Sequence, residues 1–449
     1  MKLGVIGAGY VGLTTAICLS SIRHSITIFD IDKNIISSLK NKKIPFYEPD
    51  LQELMDSVIS SGRLHTADSI DKVVRNTNGV FVCVGTPSKP DGSIDISQIL
   101  SAVKDIAQSI KNNNKKNYTI LIRSTIVPYT TRQFILPLLN IVKEYKVNLC
   151  SVPEFLREGQ AVSDFMNPDK IVIGFKNLNG KNFVRKVFQY FKKRTLFIET
   201  NFQTAEMMKY TNNAFFSTLI SFANEIANIS EKISGIDTFE VMNALIADKR
   251  ITTLVQKQKI VPEFTTYLFP GCGFGGSCFP KDVKAITAYA SSVNAATPLL
   301  NSVLTINEER PRQIVLLAES LIGILKNKKI SVLGLAFKPN TDDLRSSPSL
   351  EAIKILQKKK AVISVYDPVV RYTKLKSFGI SNVNTCTTIE KCLKNSDLAI
   401  VFTKWEEFKS INSKLINKHM RHPLIIDGRG FLDKNKFREK EYYKIGYKK

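Results

Sequence analysis

The chain has 449 residues, 43% hydrophobic and 23% charged, with 64 Lys and Arg against 40 Asp and Glu for a net charge of +24. This balance excludes a chain disordered throughout, and the length requires more than one hydrophobic centre, as in two or three α/β domains. No apolar run is long enough to span a bilayer and no cleavable leader is visible, so a cytoplasmic location is expected.

The seven cysteines form no CxxC pair and no histidine stands at metal-ligand spacing, so reduced thiols and no metal are expected. Lysines are scattered in short groups such as Lys40-Asn41-Lys42-Lys43 and are not interleaved with aromatics. That pattern favours solvated faces over a nucleic-acid groove, and it suits an anionic small-molecule substrate.

From residue 2 to about 200, short β-branched runs at 3–6, 26–29, 80–84, 120–122, 147–152, 171–173 and 196–198 alternate with helical stretches. They predict a mainly parallel, doubly wound sheet. Gly7-Ala8-Gly9-Tyr10-Val11-Gly12 follows the first strand and opens a helix, and Phe29-Asp30 closes the next strand about twenty residues on, as a dinucleotide fingerprint requires. Gly7 is expected to make the tight turn, Gly9 to admit the pyrophosphate, and Gly12 to let helix pack on strand. The helix N-terminus supplies N–H donors to the phosphates. Asp30 is expected to accept from the ribose hydroxyls, and its charge selects NAD over NADP.

Between 203 and about 325 strand signals vanish, and helical spacing runs through 205–234, 238–246 and 297–325. The last stretch, with Pro298 near its start, predicts a connecting helix, and this helical middle is a candidate dimer core. Lys209 and Asn213, four apart, share one helix face. Within the same region Pro270-Gly271-Cys272-Gly273-Phe274-Gly275-Gly276-Ser277-Cys278 is a glycine-rich loop before a helix predicted near Lys281. The glycines are expected to let a ligand approach, and Lys281 with the helix terminus to favour a Cys278 thiolate able to attack a carbonyl. Cys18, Cys83 and Cys150 sit in apolar stretches as small buried hydrophobes, while Cys272 is left open as a neighbouring or resolving thiol.

After residue 327 strands at 330–333, 362–366, 398–402 and 424–426 alternate with helices such as 349–358. The fold expected is therefore α/β: a Rossmann-like doubly wound domain over 1–200, a helical central domain with a long connecting helix over 201–325, and a smaller Rossmann-like α/β domain over 326–449. The two ends could share one layout.

Taken together, Gly7 to Gly12, Tyr47-Glu48-Pro49, Val84-Gly85-Thr86-Pro87 with Asp91-Gly92, Ser124-Thr125, Pro153-Glu154-Phe155-Leu156-Arg157-Glu158-Gly159, Lys209 to Asn213, Gly275 to Asp282, and Phe337-Lys338-Pro339 through Arg345-Ser346 resemble the UDP-glucose/GDP-mannose dehydrogenase family almost end to end. The resemblance implies a four-electron oxidation of a UDP-sugar, using two NAD in succession and a Cys278 thiohemiacetal and thioester. It implies Lys209 and Asn213 as an oxyanion clamp, Asp282 and a Thr125-held water in proton transfer, and Glu158 in hydrolysis or nicotinamide placement. Thr86, Lys281 and Arg345 would join Tyr10 and Val11 around NAD. Glu154, Phe155, Leu156, Arg157, Tyr267, Leu268, Phe269, Pro270, Gly271, Gly276 and Lys338 would line the nucleotide-sugar pocket, with Arg250 reaching the substrate of a partner subunit in a homodimer. UDP-glucose is the leading substrate. A UDP-N-acetylhexosamine or GDP-mannose undergoing the same chemistry is the alternative, and a non-catalytic dinucleotide-binding scaffold is the alternative of another class.

The chain departs from the family pattern in extra residues around 252–265, which put the register of Arg250 in question, and in Phe269 and Ile35 at places that often carry basic residues. Tyr129 replaces a usual glycine after Ser124-Thr125, and Leu219 also deviates.

Overall fold

The computed structural model describes residues 1–256 and 258–448. The chain divides into two compact units, Met1–Asn212 and Asn213–Lys449, and the division falls inside the long helix Phe202–Ser230.

The first unit is built on β1 (Lys2–Ile6), β2 (Ser25–Phe29), β3 (Leu64–Thr66), β4 (Gly79–Val82), β5 (Thr119–Ile122), β6 (Asn148–Ser151), β7 (Lys170–Phe175) and β8 (Leu196–Thr200). They lie in the order β3-β2-β1-β4-β5-β6-β7-β8. Neighbours are parallel except β6 and β7, which run antiparallel. The central strands are buried on both faces, which is why they read as continuous apolar runs. The order reverses between β1 and β4, and the crevice beyond the carboxyl ends of strands at such a switch point is where α/β sheets bind ligands.

The second unit carries the helices Thr238–Ile246, Phe279–Ser292 and Pro298–Ile322, then a six-stranded sheet. Its strands β11 (Lys329–Leu333), β12 (Val362–Tyr366), β13 (Asn384–Thr385), β14 (Leu398–Val401), β15 (Ile425–Asp427) and β16 (Tyr442–Lys444) follow a hairpin of β9 (Thr253–Val255) and β10 (Gln258–Ile260). All sheet neighbours are parallel, in the order β13-β12-β11-β14-β15-β16. This repeats the order of the first six strands of the first unit, so the two ends do share a layout.

The hairpin corrects the strand-free reading of 203–325. Its six strand residues are all exposed, so no buried face imposes the alternation by which a strand is recognised. β3, β13 and β16 also escaped the sequence pattern. Each is two or three residues long, and its place is decided by a parallel neighbour rather than by an apolar run of its own. The predicted connecting helix is continuous from Pro298 to Ile322 and ends at Gly323, whose φ is 72°.

Candidate active site

In the first unit, β1 delivers the chain into Gly7, where φ is 92°, and the helix Tyr10–Ser21 begins with Gly9 as its N-cap. A Cβ on Gly12 would fall 1.8 Å from the Gly7 carbonyl oxygen, so only glycine lets this helix sit on its own loop. A Cβ on Gly9 would meet no protein atom within 4 Å. That side of the loop is open for a diphosphate, and first-turn N–H groups, which have no intrahelical acceptor, suit one. Asp30 sits at the end of β2. It accepts from the Ala8 N–H at 2.5 Å and the Asp32 N–H at 2.8 Å, which aims its carboxylate along the glycine loop. These residues fit NAD.

Thr86 donates to the Thr125 carbonyl at 2.9 Å, tying together the loops that leave β4 and β5. Glu154 and Lys209 are both buried and form an ion pair at 3.0 Å. The Lys209 ammonium also lies 5.7 Å from the Phe155 ring centroid. Glu154 further accepts from the Leu156 N–H at 2.5 Å, so its carboxylate shapes the backbone of the segment that carries it. Burial pushes the Glu154 carboxyl up, but the Lys209 ammonium and the Arg123 guanidinium pull harder and hold it below the usual range. Arg157 grips Asp164, with Nη2 to Oδ1 at 2.7 Å and Nε to Oδ2 at 3.1 Å. Glu158 is buried at the end of the same segment.

In the second unit Cys278 is the N-cap of the helix Phe279–Ser292, half-buried, with its Sγ 3.5 Å from the Ser277 hydroxyl. Asp282 is one turn along and buried; its N–H donates to the Cys278 carbonyl at 2.8 Å. One Asp282 oxygen accepts from the Asn213 amide and the other from the Lys281 ammonium, each at 2.6 Å. Lys281, expected to act on the thiol, thus pairs with Asp282, and the structure brings Asn213, Asp282 and Cys278 into one cluster.

The loop before Cys278 is fastened at successive backbone groups. The Gly271 N–H donates to the Asn224 side chain at 2.8 Å, and the Gly271 carbonyl accepts from Arg310 at 3.1 Å. The Gly273 carbonyl accepts from Arg429 at 3.1 Å. Asn307 takes both polar groups of Phe274, at 2.7 and 3.1 Å. Sequence patterns missed Asn224, Asn307, Arg310 and Arg429 because their partners lie far along the chain, with nothing local to mark them; Asn307 and Arg310 share the helix Pro298–Ile322. The loop glycines also correct an expectation. Gly276 has φ 83° and a Cβ there would strike the Phe337 ring at 2.7 Å, while one on Gly275 would meet the Ser346 carbonyl at 2.4 Å. At these two positions the chain itself, not a ligand, fills the space a side chain would need.

Gly276 donates to the Arg345 carbonyl at 2.8 Å, and the Arg345 side chain chelates Asp343 at 2.9 and 3.0 Å. Tyr267 packs on Phe216 with centroids 4.7 Å apart, beside buried Leu268 and Pro270. Phe269 stacks on Phe239 at 5.8 Å, and the Lys444 ammonium lies 4.7 Å over that second ring, so the position that often carries a basic residue belongs to an aromatic stack. Lys338 is half-buried over Phe337. Arg250 is 84% exposed and pairs with Asp248 at 2.7 Å. Cys272 is fully buried, donates to the Gly428 carbonyl at 3.0 Å, and is pushed by burial up to about 11; Cys18, Cys83 and Cys150 are likewise buried and pushed up to about 12. In the first unit Tyr129, standing for a usual glycine, has φ 77°, the left-handed backbone that explains the usual residue. Ile35 packs against the hydrophobic core of that unit. Among the described residues no group of three or more His, Cys, Asp or Glu could hold a metal ion.

A glycine turn between β1 and its helix, an acid closing β2, and a sheet reversing beside them define an NAD-dependent dehydrogenase of the two-sheet α/β class. Residues 1–192 match the NAD binding domain of the UDP-glucose/GDP-mannose dehydrogenase family, 203–309 its central domain and 331–434 its UDP binding domain. The chain belongs to that family. It is 36% identical to UDP-glucose 6-dehydrogenase YwqF of Bacillus subtilis, over 100% of this chain and 98% of that one. To UDP-glucose 6-dehydrogenase of Rickettsia felis it is 33% identical, over 100% and 97%. The solved UDP-glucose dehydrogenase of Pyrobaculum islandicum superposes with a TM-score of 0.88 at 31% identity, covering 100% of this chain and 98% of that one. The UDP-D-ManNAc dehydrogenase of Pyrococcus horikoshii gives 0.84 at 28% identity, covering 99% of each.

Proposed function

We propose that this enzyme oxidises the C6 hydroxymethyl of UDP-glucose to a carboxylate through a thioester on Cys278. The observation that carries the reading is the cluster in which Cys278 caps a helix while Asp282, one turn on, is held by Asn213 and Lys281. NAD, when bound, accepts a hydride from C6 in each of two oxidations.

The chain's residues do the rest. Lys209 and Asn213 steady the reacting oxygen as its proton leaves, and Asp282 receives protons through a water held near Thr125. The Cys278 sulfur adds to the aldehyde carbon, and the thiol proton passes to the carbonyl oxygen, giving a thiohemiacetal. Loss of a second hydride and that oxygen's proton leaves a thioester. Water, oriented by Glu158, cleaves the carbon–sulfur bond to give the acid and the free thiol. Each sugar therefore takes two NAD and one water.

The test is NADH formation with a panel of sugar nucleotides. Two NADH per UDP-glucose are expected; no turnover of UDP-glucose beside clear turnover of another would remove the substrate and keep the chemistry. Likeness to the Pyrococcus horikoshii structure makes a UDP-N-acetylhexosamine the second reading. Cys278→Ala should abolish acid formation with NAD affinity nearly intact, and Cys278→Ser should accumulate a slowly hydrolysed ester; full acid production by the alanine variant refutes the covalent step.

The enzyme acts as a homodimer in this reading. Phe215, Phe222 and Ile229, spaced seven apart on the long helix, are 49%, 41% and 55% exposed, an apolar seam that a second helix would cover. Among the described residues the seven cysteines form no disulfide, which supports a reducing compartment, the cytoplasm.

A further inference from the structure

Glu48 stands between the helices Lys33–Lys40 and Leu51–Ser60 and is 6% exposed. Its Oε2 accepts from the Tyr10 hydroxyl at 2.5 Å and from the Gly159 N–H at 2.6 Å, and its Oε1 accepts from the Ala161 N–H at 2.7 Å. Tyr10 opens the helix whose first turn faces the diphosphate position. Gly159 ends the segment that carries Glu154 and Glu158, with φ 78°, so the amide that Glu48 holds sets the peptide joining Glu158 to it. One carboxylate therefore fastens two segments far apart in sequence, one for each reactant.

We propose that Glu48 is a positioning residue of the oxidation, holding the Glu154 and Glu158 segment in register with the dinucleotide loop. The Gly159 and Ala161 donors are backbone N–H groups, which cannot turn to become acceptors. Glutamine has the same shape, but whichever way its amide is placed the NH2 meets one of those N–H groups, so the isostere breaks the clamp. Tyr10→Phe cuts only the link to the helix and leaves both backbone bonds. Burial, together with the Glu48 and Glu158 carboxylates, keeps the Tyr10 hydroxyl protonated and a donor.

This inference rests on the reading of the 7–12 loop as the NAD site. The experiment compares full-length wild type, Glu48→Gln and Tyr10→Phe by calorimetric NAD affinity without sugar, by melting temperature, and by kcat and KM for UDP-glucose. Glu48→Gln is expected to weaken NAD about tenfold and lower kcat at least tenfold with KM for UDP-glucose changing less than about threefold, because small misplacements of reacting groups are costly in rate. Tyr10→Phe should weaken NAD about threefold and lower kcat with little change in melting temperature. A Glu48→Gln protein that melts earlier but keeps wild-type NAD affinity, kcat and KM overturns the proposal. Should that variant fail to fold, wild-type NAD affinity and kcat in Tyr10→Phe overturn it. A wild type that oxidises no UDP-glucose defeats the substrate reading instead, and the NAD affinities still decide Glu48.

Discussion

Two buried glutamates of the first unit meet different partners and take opposite charge preferences. Glu206 accepts from the Thr131 N–H at 3.0 Å, and among the described residues its second oxygen has no hydrogen-bond partner. Burial pushes it up to about 7. Its folded form binds more protons than the unfolded chain between about pH 4.5 and 7, so its contribution to stability is present below that window and is lost as pH rises through it. Glu206→Gln should flatten the fall of melting temperature across this range; an unchanged slope refutes the assignment. Glu154 runs the other way: held low, it stabilises above the ordinary glutamate range and loses that contribution as pH falls. Glu154→Gln strips Lys209 of its counter-charge in a buried place and should cost about 3–5 kcal/mol at pH 7, measured by urea unfolding. Lys209 was visible in the sequence as one polar position on a helix face. Its partner, more than fifty positions earlier, was not, because an ion pair made by folding leaves no spacing to read.

The glycine-rich loop before Cys278 shows the same limit for an element. Its glycines and the helix after it were legible, since both are written in consecutive residues. The side chains that lock its backbone come from several other elements. Asn307→Ala leaves the Phe274 N–H and carbonyl without their side-chain partner and should cost about 1–3 kcal/mol. It should lower kcat while NAD affinity stays within about twofold, since the dinucleotide loop belongs to the other unit; a variant with wild-type kcat and reduced stability would assign Asn307 to folding alone. Among strands, long apolar runs such as β4 and β14 announced themselves. The exposed hairpin of β9 and β10 did not, because nothing buries it.

For the whole molecule, the seam of Phe215, Phe222 and Ile229 predicts a dimer in solution. Phe222→Glu with Ile229→Glu places charges where a partner helix would pack and should convert it to monomer, read by light scattering after size exclusion. A wild type already monomeric at assay concentration refutes the seam's role. The repeated strand order of the two sheets has no matching repeat in sequence, since parallel α/β order is dictated by chirality and burial, which many different apolar residues satisfy.

Sequence alone determined the long buried strands and the main helices, the dinucleotide turn with its closing acid, and the cysteine before a helix, because these depend on residues adjacent or periodic along the chain. Tertiary structure decided which groups hold them: Glu154 on Lys209, Asn213 on Asp282, Glu48 across Tyr10 and Gly159. Such bonds form only after burial removes water and brings distant backbone together, and linear order carries no record of that.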